Sequence, residues 1–195
     1  AVEVAPIIHE LDRRVIDYKE FLDLMIPMKQ PGLHNRMNAA AALAVAGVEK
    51  LDAEGSKQAV SDFTGVWRRF EFKGTVNSAP VYDDYGHHPT EISATIAGAR
   101  ELYPDKRIVA AFEPHTYSRT QALFDRFAKA LGAADEVLLV PIYAARETNT
   151  SGVSSRELSV KLLEYTKQSS YQDSLEAAEA HLRNTLDGDS VLVVM

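Results

Sequence analysis

Four short clusters hold most of the side chains in this sequence that could do chemistry: HNRMN (34–38), WRRF (67–70), YDDYGHH (82–88) and EPHTYSR (113–119). Asn35 and Asn38 stand three apart, which puts both amides on one face at the start of a helix. They could meet a polar ligand there or simply cap the helix, and spacing does not choose between the two. Arg68 and Arg69 are adjacent. On a strand they point to opposite faces, so at most one can face a given ligand, and a solvated edge accounts for both equally well.

In YDDYGHH the same alternation separates Asp83 from Asp84, which argues against a paired carboxylate acid/base. His87 and His88 diverge and lack the i, i+4 spacing of a helical metal pair. A carboxylate/histidine metal hydrolase is therefore disfavoured. Pro89 suits the first turn of a helix, where its missing N–H costs nothing, and makes His88 a helix flank. A turn followed by a cap is the plainest local reading. His115 and Arg119 form a weak pair alone; four clusters on a common rim carry more.

The elements that would make such a rim alternate regularly from Pro80 onward. PVYDDY, RIVAAFEP (107–114), EVLLVPIY (136–143) and SVLVVM (190–195) read as strands. Between them, helical periods run through Ile92, Ile96, Ala99 and Leu102, through TQALFDRFAKAL (120–131), through SSRELSVKLLEY (154–165) and over 173–185. Ser154 or Ser155 before an acidic first turn is an N-cap signature. Apolar strands without alternation, separated by helices, predict an α/β fold: a Rossmann-like, doubly wound, mostly parallel sheet. Ligands of such sheets bind outside the carboxyl ends of the strands, where YDDYGHH, EPHTYSR and IYAARE all fall. Upstream, VIDYKEFLDLMIPM is ambiguous between strand and helix. PGLHNRMNAAAALAVAGVEK predicts an alanine-rich helix from His34 or Asn35, a second helix ends near Phe63, and GVWRRFEFKG reads as a strand. The loop KGTVNSAP marks a boundary, giving domains over 1–78 and 79–195.

Composition narrows the classes. The 195 residues are 46% apolar and 25% charged with a net charge of −7, which disfavours non-specific nucleic-acid binding. Without cysteine, disulfides and thiolate metal sites are excluded, which suits a reducing cytoplasm. No apolar run approaches the ~18 residues of a membrane span. The uncapped apolar strand at the end reads as a cut from something longer.

PGLHNRMNAAAALAVA, GVWRRFEFKG, YDDYGHHPTEI, FEPHTYSRTQALFDRFAKAL, IYAARE and GVSSREL, in this order, resemble the Mur ligases. YDDYGHHPTEI followed by PHTYSRT resembles the branch that joins L-alanine to UDP-N-acetylmuramate, and its relative that ligates recycled peptides. The resemblance implies that 1–78 is the tail of a central ATPase domain and 79–195 the C-terminal domain, with the N-terminal and remaining central domains as partners. No GxxGKT-type P-loop is present, so the chain alone is expected to be inactive. It further implies ATP and Mg2+ as cofactors, UDP-N-acetylmuramate and L-alanine as substrates, and amide formation through an acyl phosphate. The magnesium ligands would lie mostly outside this chain.

By the same resemblance, Asn35 and Asn38 meet the nucleotide, Arg69 reaches its phosphates and Asp84 its ribose. Tyr85, His87, His115 and Arg119 surround the amino acid and acyl phosphate, with Arg69, His87 and His115 as the catalytic set. The planar fork of Arg119 suits a carboxylate, and a histidine suits the amine proton. Glu113 stands where glutamine is usual and Thr116 where some members carry arginine. Tyr85 favours a small amine substrate over a recycled tripeptide. A non-catalytic nucleotide-binding fragment is the rival of a different class.

Overall fold

The computed structural model describes residues 16–22 and 26–195, which form two compact units. One comprises the described residues up to Lys29 together with His34–Phe63. The other comprises Gln30–Leu33 and Thr64–Met195. Of the expected first domain, residues 1–15 and 23–25 lie outside the described residues.

In the first unit the ambiguous segment carries a single 3-10 turn, Tyr18–Phe21, among its described residues. The alanine-rich run forms helix α1 (Leu33–Val48), and α2 (Ala53–Asp62) follows after a short turn. Asp52 caps α2 by accepting the Gly55 N–H. Both helices fall where alanine and straight-chain residues favour them.

The second unit is built on a six-stranded sheet of order β1-β2-β6-β3-β4-β5. Strands β2 (Ala79–Asp83), β3 (Arg107–Phe112), β4 (Glu136–Leu139), β5 (Gln168–Tyr171) and β6 (Ser190–Val194) are parallel neighbours. Strand β1 (Glu71–Val76) is antiparallel to β2. Helices α3 (Pro89–Leu102), α5 (Phe124–Leu131) and α6 (Ser155–Leu162) bury Ile92, Ile96, Phe127, Leu131, Leu158 and Leu162 in one cluster with Phe112. Helix α7 (Leu175–Thr185) sets Ala178 and Leu182 against Leu138, Val140 and Leu192 in two other clusters. The sheet is therefore covered on both faces, which is why β3, β4 and β6 are apolar without alternation. No helix among the described residues is long and apolar enough to cross a membrane.

Two local expectations change. Asn77 and Ser78, read from the sequence as part of a linker, are the two-residue tip of the β1–β2 hairpin, with φ of 49° and 69°. That is the conformation a tight hairpin turn prefers. Asn77 also donates to the carbonyls of Arg183 and Leu186 at the end of α7. The helix expected over 120–131 begins earlier, as α4 (Tyr117–Ala122), and breaks at Leu123 before α5. Strand β5, QSSY, carries no apolar run, because it lies at the edge of the sheet and is only partly buried.

The amino ends of the strands are fastened by charge. The Glu136 carboxylate, 1% exposed, receives Arg107 Nη1 at 2.6 Å. Arg107 Nη2 donates to the Thr185 carbonyl and Ser190 Oγ, each at 2.8 Å. The opposite, carboxyl ends are thereby left for loops that can carry chemistry.

Candidate functional site

The loop leaving β2 is set by Asp84. Its N–H continues the ladder onto the Val194 carbonyl, and its side chain turns inward, 6% exposed. Oδ2 accepts the Phe70 N–H at 2.9 Å, while Oδ1 accepts the Gly86 N–H at 2.8 Å and Thr95 Oγ1 at 3.1 Å. A Cβ on Gly86 would stand 2.9 Å from Oδ1, so the close approach requires glycine. Burying a carboxylate demands such donors. Asp84, for which the resemblance implies a ribose contact, here spends both carboxylate oxygens on the loop.

His88 caps α3 with Nδ1 accepting the Thr90 N–H, and Glu91 returns the favour as a capping box, with Pro89 in the first turn. The expected flank is thus a cap. Glu91 Oε2 also takes the His87 N–H at 3.1 Å and lies 3.5 Å from His87 Nδ1. Burial pushes the Glu91 carboxyl up, but the His87 N–H and charge, the His88 N–H and the charge of Arg69 outweigh it and hold it below the usual value. His87 Nδ1 also faces the Tyr85 carbonyl at 3.0 Å, and its ring meets the Tyr85 ring edge-on.

Arg68 and Arg69 are not on a strand. They lie in a turn before β1, with Arg68 and Phe70 at φ of 53° and 48°. The turn is held by Arg68 N–H to Glu71 Oε2 and by Tyr85 N–H to the Arg68 carbonyl at 2.8 Å. Strand alternation therefore does not apply, and both guanidinium groups approach one ring: Arg68 lies 5.0 Å and Arg69 5.7 Å from the Tyr85 centroid. Arg68 also pairs with Asp83 at 3.5 Å, whereas Trp67 beside it is 76% exposed. Tyr85 thus gathers two cations at the rim, where an anionic ligand would find them.

The exits of β3 and β4 are stitched together. His115 and Tyr143 form an isolated parallel bridge, with Tyr143 N–H to the Pro114 carbonyl at 2.8 Å and Thr116 N–H to the Tyr143 carbonyl at 2.9 Å. The His115 and Tyr143 rings lie 5.3 Å apart. Glu113 N–H reaches the Met195 carbonyl, so the exit of β6 joins the row. Glu147 accepts the Ser118 N–H at 2.8 Å and Ser118 Oγ at 2.5 Å. These two bonds from Ser118, with help from the Tyr117 N–H and the charge of His115, hold the Glu147 carboxyl below the usual range. The side chain of Arg119, half-buried in the first turn of α4, makes no hydrogen bond or ion pair with the described residues.

Of the expected site residues, Arg69, Tyr85 and His87 sit around one another, and His115 and Arg119 follow the exit of β3. Asn35 and Asn38 lie on the first two turns of α1, in the other compact unit. Arg68, Glu91 and Glu147 went unassigned in the sequence. Glu91 is legible there as the acidic end of a capping box in HPTE. Nothing in the sequence links Glu147 to Ser118. Among the described residues no group of three His, Asp or Glu side chains could hold a metal ion.

A catalytic rim on a doubly wound sheet is common to many enzymes, and comparison with known proteins narrows the choice. The family described as Mur ligase, glutamate ligase domain, matches residues 68–194. The chain belongs to the Mur ligase family. Among its relatives, the UDP-N-acetylmuramate–L-alanine ligase of Lachnospira eligens is 46% identical over 170 residues, covering 87% of this chain and 37% of that protein. The crystal structure of UDP-N-acetylmuramate–alanine ligase from Thermotoga maritima superposes with a TM-score of 0.71 at 29% identity, over 86% of this chain and 35% of that one. A murein peptide ligase from Psychrobacter arcticus gives 0.58 at 27% identity, over 84% and 34%. The chain thus spans little more than a third of the length of the Mur ligases it matches. Its sheet is that of their glutamate ligase domain, which begins before β1 and includes the hairpin.

Proposed function

We propose that this chain is part of an ATP-dependent ligase that joins L-alanine to UDP-N-acetylmuramate. The observation that carries the proposal is the 46% identity, sustained over 87% of the chain, with a protein of that name. In this reading the γ-phosphoryl group of ATP passes to the muramate carboxylate and ADP leaves. The alanine nitrogen then attacks the acyl carbon, the bond to phosphate breaks, and the amine proton goes to a base on the rim.

The roles follow the rim. Arg69, held beside Tyr85 with Arg68, offsets phosphate charge as it develops. His87 and His115 are the candidates for the amine proton, and Arg119, whose side chain pairs with none of the described residues, takes the alanine carboxylate or acyl phosphate. Asn35 and Asn38 serve the nucleotide from α1. Asp84 holds the rim in shape from inside. The magnesium ligands are assigned mostly outside this chain.

The test is phosphate release by the whole ligase with ATP, UDP-N-acetylmuramate and either L-alanine or the recycled tripeptide. Alanine should be turned over and the tripeptide should not. Phosphate release with the tripeptide alone would move the chain to the peptide-recycling branch. The 195-residue chain by itself should show no turnover.

A further inference from the structure

The hydrogen bonds around α4 raise a question of cause. A helix start leaves N–H groups without intrahelical partners, and the N-cap side chain normally accepts one of them. Thr116 occupies the N-cap of α4, yet its hydroxyl makes no cap bond, and its φ of 70° lies in the left-handed region. For a β-branched residue that conformation is strained. Its own N–H is committed to the Tyr143 carbonyl, so the chain is pulled sideways toward the β4 exit just where the helix must begin.

The missing cap comes from another loop. Both oxygens of Glu147, twenty-nine residues from Ser118, bind that residue's N–H and hydroxyl at the second position of α4. A carboxylate there also complements the positive end of the helix. The next residue is Arg119, and His115 immediately precedes the N-cap. Around it, the Tyr143 bridge closes the same two loops.

We infer that Glu147 is a positioning residue: its carboxylate clamps Ser118 and so holds His115 and Arg119, on either side of the N-cap, in their working geometry. The inference rests on the ligase reading for what those two residues do, but not for the clamp itself. Glu147 acts through Ser118 and needs no contact with substrate. Misplacing a reacting group by about an ångström costs roughly a hundredfold in rate. Glu147→Ala in the whole ligase should therefore lower kcat/KM for alanine by about ten- to a hundredfold, with ATP affinity unchanged. Glutamine keeps one acceptor for the Ser118 N–H and can donate to its hydroxyl. Glu147→Gln should restore most of the loss, and Ser118→Ala, which keeps the N–H bond, should fall between.

The experiment pairs those kinetics with hydrogen exchange at the Ser118 amide of this chain. Protection in the wild type that is lost in Glu147→Ala and kept in Glu147→Gln supports the clamp, even if the wild-type ligase proves inactive with alanine and the ligase reading falls. An active wild type with an equally active Glu147→Ala overturns the inference. So does a glutamine variant as impaired as alanine, because the charge itself would then be acting. If Glu147→Ala fails to fold, the comparison of Ser118→Ala and Glu147→Gln with the wild type decides.

Discussion

The Asp84 carboxylate accepts the Phe70 N–H at 2.9 Å, closing fourteen residues of chain that include the whole β1–β2 hairpin. That bond fixes the turn bearing Arg68 and Arg69 against the loop bearing Tyr85. Asp84→Asn should be destabilising, because an amide cannot satisfy the Phe70 and Gly86 N–H groups and Thr95 together without exposing a donor to a donor. An unsatisfied buried group costs roughly 1–3 kcal/mol. Urea unfolding should show a lower midpoint with an unchanged slope. An unaltered midpoint would mean that Asp84 is free to serve a ligand.

Tyr85 organises the cations. Replacing it with leucine leaves Arg68 paired to Asp83 but removes the ring from beside Arg69. An exposed cation–π contact is worth about 0.5–1 kcal/mol, so ATP affinity of the whole ligase should fall roughly two- to fivefold. Arg69→Ala should cost more, since it removes the charge and not only its support. A calorimetric titration with ATP distinguishes the two, and equal losses would place Tyr85 itself on the nucleotide.

Arg119 belongs to the amino-acid side in the proposed reading. Loss of a charge-assisted bond costs roughly 1.5–3 kcal/mol, or about one to two powers of ten. Arg119→Ala should lower kcat/KM for alanine by that amount and leave ATP binding nearly intact. Lysine should rescue only partly, because a point charge lacks the planar fork. If ATP affinity falls as far as alanine use, the assignment is wrong.

Glu91 makes part of the stability depend on pH. Its folded pKa lies below the ordinary value of 4.5, so its ionised form is the one the fold favours. The stabilisation is fully present above 4.5 and is lost as pH falls through the lower folded value. In Glu91→Gln the amide still accepts from the helix start but cannot titrate. The gap in unfolding midpoint between wild type and variant should be constant near neutrality and narrow below pH 4.5. A gap that stays constant at low pH would remove Glu91 from the acid response.

What the sequence determined by itself was periodic or local. Unalternated apolar runs at 107–112 and 190–194 announced strands buried on both faces, because only a doubly covered sheet accepts side chains of one kind on both sides. Ser154 or Ser155 before an acidic first turn, and Pro89 after His88, announced helix starts, since a cap needs only near neighbours in the chain. The strand-end rule then located the rim. Tertiary structure alone decided what meets across that rim. Positive φ at Arg68 and Phe70 turned a supposed strand into a turn, and thereby brought two arginines to one tyrosine. The inward rotation of Asp84, the joining of the hairpin to the parallel sheet and the reach of Glu147 to Ser118 are likewise contacts between distant residues. Hydrogen bonds of that kind depend on how strands are ordered in space, and no spacing along the chain encodes them.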